Sequence, residues 1–312
     1  MSTGRQSRIS GFSSSRPPRR RDLAHWHVLY DLSAARDNKP GQMTEPKDVE
    51  QLKKAPMTNS APRTGDVYLK LTGVDSYVQI ASIADYSIAT TGALSVAAWM
   101  RPDTLNFPRW EGTGYVHWLG KGESGQQESV LRMYNRDGTT EDPPRPNRIS
   151  FYTFNPDGRL GVGSFFQDTL TEGSWIFVVG VADSTRTYMY RDGRYRRCDT
   201  YRGPRVGRCP IHFLPPPNGN IQLEIDPTAG SAPLRFGTRD CNSFFEGGLS
   251  RVRIWNRVLS ADEVSALYSA DTAPSNGLVA EFLLNADTGT IAIDTAQGNN
   301  GKLFGASWDV QA

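Results

Sequence analysis

Carboxylates two residues apart on a strand project to the same face, and Glu224-Ile-Asp226 is the nearest this chain comes to an acid–base pair. Their expected separation of about 6–7 Å would not by itself exclude the ~5–5.5 Å pair of a retaining glycoside hydrolase. No further acid follows, because Pro227-Thr-Ala comes next. The chain shows no nucleophile elbow, phosphate loop or zinc pattern. It has four histidines, His25, His27, His117 and His212; His25 and His27 are close together but lack further ligands nearby. Trp110, Tyr201, Phe244 and Phe245 fall in stretches read as loops. An aromatic ring face beside Asn, Asp or Arg is what a sugar site needs, so these four are the candidate ligand-binding residues; packing beneath long loops is the competing reading.

The charge is uneven. Residues 1–63 carry twelve Lys/Arg against six Asp/Glu, a net of +6, which leaves the other 249 residues at −4 within the overall +2. Ser, Arg and Pro dominate the first twenty-one residues and Pro17-Pro18 denies them a helix. Trp26 to Leu32 is a largely apolar island that a solvated tail would not need. The expectation is a basic, irregular arm over 1–63 that docks on a partner subunit through Arg19, Arg20, Arg21, Trp26 and Tyr30, with folding back on its own body as the alternative. Its arginines suffice for weak phosphate contact, but no folded nucleic-acid module accompanies them, so nucleic acid is not the expected partner. No run of about 18 apolar residues is present, nor the apolar run of a signal peptide, so neither membrane spanning nor classical export is expected. Cys198, Cys209 and Cys241 are an odd number; a Cys198–Cys209 bridge and free thiols both stay open.

These residues need a scaffold, and the patterning is that of strands. Thirty Gly and twenty Pro argue for many turns and little helix. Val67, Leu69 and Leu71 alternate, Gly73 to Ser76 turns, and Tyr77 to Ile80 returns, which predicts a hairpin. Leu94 to Trp99 and Trp175 to Ala182 read as buried strands, the latter covered on both faces. Arg148 to Phe154 should turn Ile149, Phe151 and Thr153 to one side. Asp192-Gly193 is a two-residue hairpin signal. Arg186 to Arg208 holds eight arginines against Asp192 and Asp199 and reads as a charged edge; the Pro- and Gly-rich insertion from Tyr201 to Ala232 is longer than ordinary connections.

Gly247 to Tyr268, GGLSRVRIWNRVLSADEVSALY, changes period in its middle. Its first half alternates as a half-buried strand does; Ser260 and Glu263 then form a capping box that opens a short helix with Val264, Leu267 and Tyr268 on one face. This stretch resembles the closing segment of the laminin-G-like, concanavalin A-like jelly rolls. Lys70 to Val78, Leu94 to Pro102, Lys121-Gly-Glu123, Trp175 to Asp183 with Tyr188 to Gly193, and Asp294 to Gly301 fit the same family in order, from about residue 66 to the end.

The resemblance implies an all-β, two-sheet antiparallel jelly-roll sandwich over residues 64–312, with one short helix and the extended arm before it. It implies that the closing strand pairs beside Lys70 and Leu71. Because the family includes glucanases, Glu224 and Asp226 are its nearest match to their catalytic strand, with proline where those enzymes place a second Glu; no enzyme is expected. Related sandwiches hold calcium on rim loops, for which Asp75, Asp294 and Asn299 are the candidates here. The expected function is a non-catalytic binding or structural module, displayed on a multimeric particle such as a phage capsid or tail and anchored by its arm; a soluble carbohydrate-binding lectin is the alternative, and a divergent glycoside hydrolase a third. The expected location is the virion or particle, otherwise the cytoplasm.

Overall fold

A computed structural model describes residues 59–137, 144–155, 161–183, 186–202, 211–213, 223–225 and 227–312. The strands in chain order are β1 (Val67–Thr72), β2 (Tyr77–Ile80), β3 (Ala93–Pro102), β4 (Tyr115–Lys121), β5 (Ser129–Tyr134), β6 (Ile149–Phe154), β7 (Gly161–Phe166), β8 (Ile176–Asp183), β9 (Arg186–Arg191), β10 (Arg194–Arg202), β11 (Ile211–Phe213), β12 (Leu223–Ile225), β13 (Leu234–Phe236), β14 (Glu246–Trp255), β15 (Leu278–Phe282), β16 (Ile291–Ala292), β17 (Gly301–Phe304) and β18 (Ser307–Val310). Helix α1 (Ile88–Thr91) is a single turn and α2 (Ala261–Ala270) has ten residues. Among the described residues no helix is long and apolar enough to cross a membrane.

The strands form two antiparallel sheets. The larger runs β12-β11-β10-β9-β8-β3-β14-β1-β18, with β15 also on β14; the smaller runs β16-β17-β2-β13-β4-β5-β6-β7. Inward residues of both, among them Leu69, Leu71, Val78, Ile80, Val96, Trp118, Leu131, Phe151, Val178, Phe236 and Ile254, interdigitate as one core. This is the jelly-roll sandwich that the family resemblance implies.

The predicted hairpin of β1 and β2 does not form. β1 pairs with β14 and β18 in the larger sheet, whereas β2 pairs with β13 and β17 in the smaller one. The turn between them crosses from layer to layer: Ser76 Oγ accepts from the Thr72 amide at 2.6 Å, and Gly73 adopts φ +78°. Leu69 and Leu71 therefore face Val78 and Ile80 across the core instead of lying beside them. Alternation specifies which side of a strand is buried, not which strand lies next to it. The closing strand does lie beside β1, but its pairing runs from Val67 to Lys70, with Ser307 opposite Lys70 and Trp308 opposite Leu69, and does not reach Leu71.

Strand β14 is buried on both faces rather than one. Its outer face lies under α2, where Val264 and Leu267 pack with Trp99, Phe177, Val179 and Trp255 and the Tyr268 ring stacks on Trp99 at 5.6 Å. Burying each such aliphatic side chain is worth roughly 1.5–3 kcal/mol, which is how ten residues hold a helix on a sheet. The capping box is present: Glu263 N donates to Ser260 Oγ and Ser260 N to Glu263 Oε2. Arg253, which sequence places on a wet face, is instead buried between Asp271 and Glu281, at 2.5 and 2.8 Å. Asp192 and Gly193 both have positive φ and join β9 to β10 as predicted. β10 is not an edge, since β11 and β12 continue the sheet beyond it.

The chain enters the described body beside α2, where Ser60 N donates to Tyr268 O and Arg251 Nη1 to Ser60 O. Arg19, Arg20, Arg21, Trp26 and Tyr30 lie outside the described residues.

Candidate functional site

Strand β4 carries Val116 inward and Tyr115 and His117 outward, the alternation a pleated strand imposes. Just before it the chain folds back tightly. Glu111 N donates to Tyr115 O at 2.9 Å, and Tyr115 N and Gly114 N both return to Glu111 O at 3.1 Å. Gly112 and Gly114 have φ of +57° and +105°; a Cβ on Gly112 would lie 2.6 Å from the Tyr115 ring, so glycine is required there. This fold-back lays the Glu111 carboxylate against His117, with Oε1 2.8 Å from Nδ1. Nδ1, fully buried, has no partner other than this carboxylate.

The third member comes from the loop between β13 and β14. Gly237, at φ +89°, donates to Trp118 O and accepts from Phe245 N, which folds the loop over β4. Ser243 Oγ accepts from the His117 amide at 3.2 Å, a bond freed from the ladder by the bulge between His117 and Leu119. Asp240 is thereby brought in, so that ligand atoms of Glu111, His117 and Asp240 lie within 4.8 Å of one another. Arg239 Nη2 donates to Asp240 Oδ2 at 2.6 Å. Burial works against the Asp240 carboxylate, yet the Arg239 guanidinium overrides it and holds the group below the usual aspartate range. Burial, reinforced by Arg239, pushes the His117 imidazole down, with Glu111 opposing.

Behind the cluster the outward face of β4 to β6 is a layer of rings and guanidinium groups. Arg132 stands 3.9, 4.8 and 5.3 Å from the ring centres of Tyr152, Tyr115 and Tyr134 and donates to Ser150 Oγ. Burial raises Tyr115 to about 12, so its hydroxyl stays neutral. Next to Glu111 in the chain, Trp110 is 46% exposed, and Val74 is 51% exposed. Arg109, the residue before Trp110, donates to Val74 O at 3.0 Å.

The sequence candidates fall differently. Of the four aromatic residues Trp110 is exposed, but Phe245 is a core residue against Phe107 and Trp118, and Phe244 lies buried under Arg109 and beside Tyr77. The folded-back loop turns both rings inward, so neither is an exposed platform. Tyr201 sits on β10 rather than in a loop, and its side chain lies outside the described residues.

Asp75, Asp294 and Asn299 do not assemble into a calcium site. Tyr77 pairs with Phe304 and Ile80 with Gly301, so Asp75 and the Asp294–Asn299 loop stand at opposite ends of β2. Asp294 Oδ1 accepts from Glu281 N and Ala296 N, and Oδ2 from Asn299 N, all near 3 Å. Asn299 Nδ2 donates to Ala81 O. These oxygens are spent on backbone amides, and this set does not fit the ion.

Cys241 is free, while the Cys198 side chain and Cys209 lie outside the described residues, as do the Glu224 side chain and Asp226. Sequence reasoning missed Glu111, His117 and Asp240. A period-2 reading with a Gly-x-Gly turn could have linked the first two; Asp240 is over 120 residues on and carries no such signal.

Among solved structures, a Bacteroides ovatus protein provisionally described as carbohydrate-binding is similar with a TM-score of 0.52 and 14% identity, over 80% of this chain and 61% of its own. The chain thus spans under two thirds of that relative. A heptameric SAP-like pentraxin from Limulus polyphemus aligns at 13% identity and a TM-score of 0.46, over 80% of this chain and 98% of its own. The sialyllactose-bound CBM40 of a Ruminococcus gnavus sialidase gives 14% and 0.37, over 64% and 97%. At such identities the likeness is one of fold. No curated protein matches the sequence. Residues 72–208 match the family model of the concanavalin A-like lectin/glucanases superfamily.

Proposed function

We propose that the chain is a non-catalytic glycan-binding module whose contact surface is the loop end around Trp110. One observation carries this reading: an exposed indole stands next in the chain to Glu111, whose carboxylate closes with His117 and Asp240 into a polar cluster. An apolar ring face beside fixed hydrogen-bonding groups is the chemistry that recognises a sugar. The likeness in fold to the Bacteroides ovatus protein provisionally described as carbohydrate-binding, and the family match of residues 72–208, support it. Hydrolysis would need one carboxyl kept protonated near neutral pH, whereas Arg239 drives Asp240 the other way. A glycan array followed by calorimetry on the best hit tests the proposal. Trp110→Ala should weaken binding at least tenfold; an empty array, or unchanged affinity in that variant, refutes it. Glycan hydrolysis that vanished in Glu111→Gln or Glu224→Gln would make the protein an enzyme instead.

The basic composition of residues 1–63 and the island from Trp26 to Leu32 favour a second role alongside the first, attachment of the module to a multimeric particle such as a virion. Size-exclusion of the full chain and of a variant lacking residues 1–58, which spares Ser60, tests it. Association that survives the deletion counts against it.

A further inference from the structure

We propose that Glu111, His117 and Asp240 form a binding site for a divalent transition-metal ion of the zinc class. The three side chains arrive from a tight turn, a strand and a distant loop, yet their ligand atoms fall within 4.8 Å of one another. The His117–Glu111 contact is the pointer to a ligand. At 2.8 Å Nδ1 and Oε1 are in ion-pair contact, and Nδ1, fully buried, has no partner other than Glu111. An ion held at about 2.0–2.2 Å from both atoms sits to one side of the line joining them, where an Asp240 carboxylate oxygen lies within 4.8 Å of each.

The donor set selects the ion. Calcium and magnesium take mostly oxygen ligands, and calcium six to eight of them, whereas one imidazole with two carboxylates suits zinc-like ions. Three protein ligands leave a fourth position for water. Glu111, at 17% side-chain exposure the wettest of the three with His117 at 1%, stands at the mouth. Arg239 does not block the site. It engages Asp240 Oδ2, while Oδ1 has only a 3.4 Å contact from Asn242 N. An outer group that grips one carboxylate oxygen and orients the other is the ordinary support of a metal ligand. Ser243, bonded to the His117 amide, steadies the ring from its own backbone.

The test uses the full chain stripped with EDTA and titrated with Zn2+ alone by calorimetry, with Co2+ as an optical probe and Ca2+ as the comparison. One Zn2+ should bind per chain, and Co2+ should develop visible absorption that Zn2+ abolishes and Ca2+ does not. Glu111→Gln and Asp240→Asn, each checked for folding by near-ultraviolet circular dichroism, should weaken Zn2+ at least about tenfold, the floor set by loss of outer-shell groups alone. No binding to the native chain overturns the proposal. So does unaltered affinity in both folded variants, which would place the metal elsewhere, as on His25 and His27. Trp110→Ala should leave Zn2+ affinity unchanged, so that failure of the glycan reading and failure of this one are told apart.

Discussion

Lys121 lies at the end of β4 in the Lys-Gly-Glu run that resembles a turn of the family, and it and Glu128 are both only 1% exposed and form an ion pair. Lys121 Nζ also donates to Gly230 O at 2.9 Å, and Glu128 Oε1 accepts from Gly230 N at the same distance. The pair thus clamps the far end of the long insertion onto the smaller sheet. Lys121 also lines an interlayer cavity of about 10 Å3, at the lower bound for one water, so little solvent is at hand to replace a lost partner. Glu128→Gln keeps the shape but leaves the ammonium uncompensated, for which about 3–5 kcal/mol is expected. With a urea slope near 3 kcal/mol per molar, the midpoint should fall by about 1–1.7 M. The double variant Lys121→Met, Glu128→Gln removes the stranded charge and should recover most of that loss. Urea unfolding followed by tryptophan fluorescence on the four proteins of the cycle gives the coupling. A single variant within about 1 kcal/mol of the parent, or a double variant no better than the single, would refute the buried-pair argument.

Three further outcomes are expected. Glu263, held at about 2 by the Arg257 fork first and the Ser260 amide after it, contributes stability that is full above about pH 4.5 and lost as pH falls toward 2; Glu263→Gln should cost about 1 kcal/mol at pH 7, and the gap to the parent should close over that acid window in thermal melts. Asp294→Ala abandons three backbone amides and should lower stability by about 3 kcal/mol, with added calcium giving no protection to either protein in the same melts. Gly163→Ala would put a methyl 1.9 Å from the Phe151 carbonyl oxygen, and a loss of at least about 3 kcal/mol, or insoluble expression, should follow; an alanine variant with the parent's midpoint would contradict the closeness of β6 and β7.

How much was legible follows the range of each interaction. Local signals survived folding intact: the Ser260–Glu263 box, the Asp192-Gly193 turn and the two-sided burial of β8 each depend on residues within a few positions of one another. Arg253 and the β1–β2 step were misread because helix cover and sheet membership depend on distant chain. Phe244 and Phe245 sat in a loop, as expected, but whether a loop ring faces water depends on what the loop folds against.

From its residue order alone this protein is a strand-rich body with a basic leading segment, because side-chain period and turn chemistry act over spans shorter than a strand, and its two-layer architecture came from the family resemblance. Only the tertiary arrangement brought Glu111, His117 and Asp240 together, since the first two meet across a fold-back and the third arrives from a loop far along the chain. A pairing of that range leaves no periodic trace; it exists because Gly237 and Ser243 bind that loop to β4.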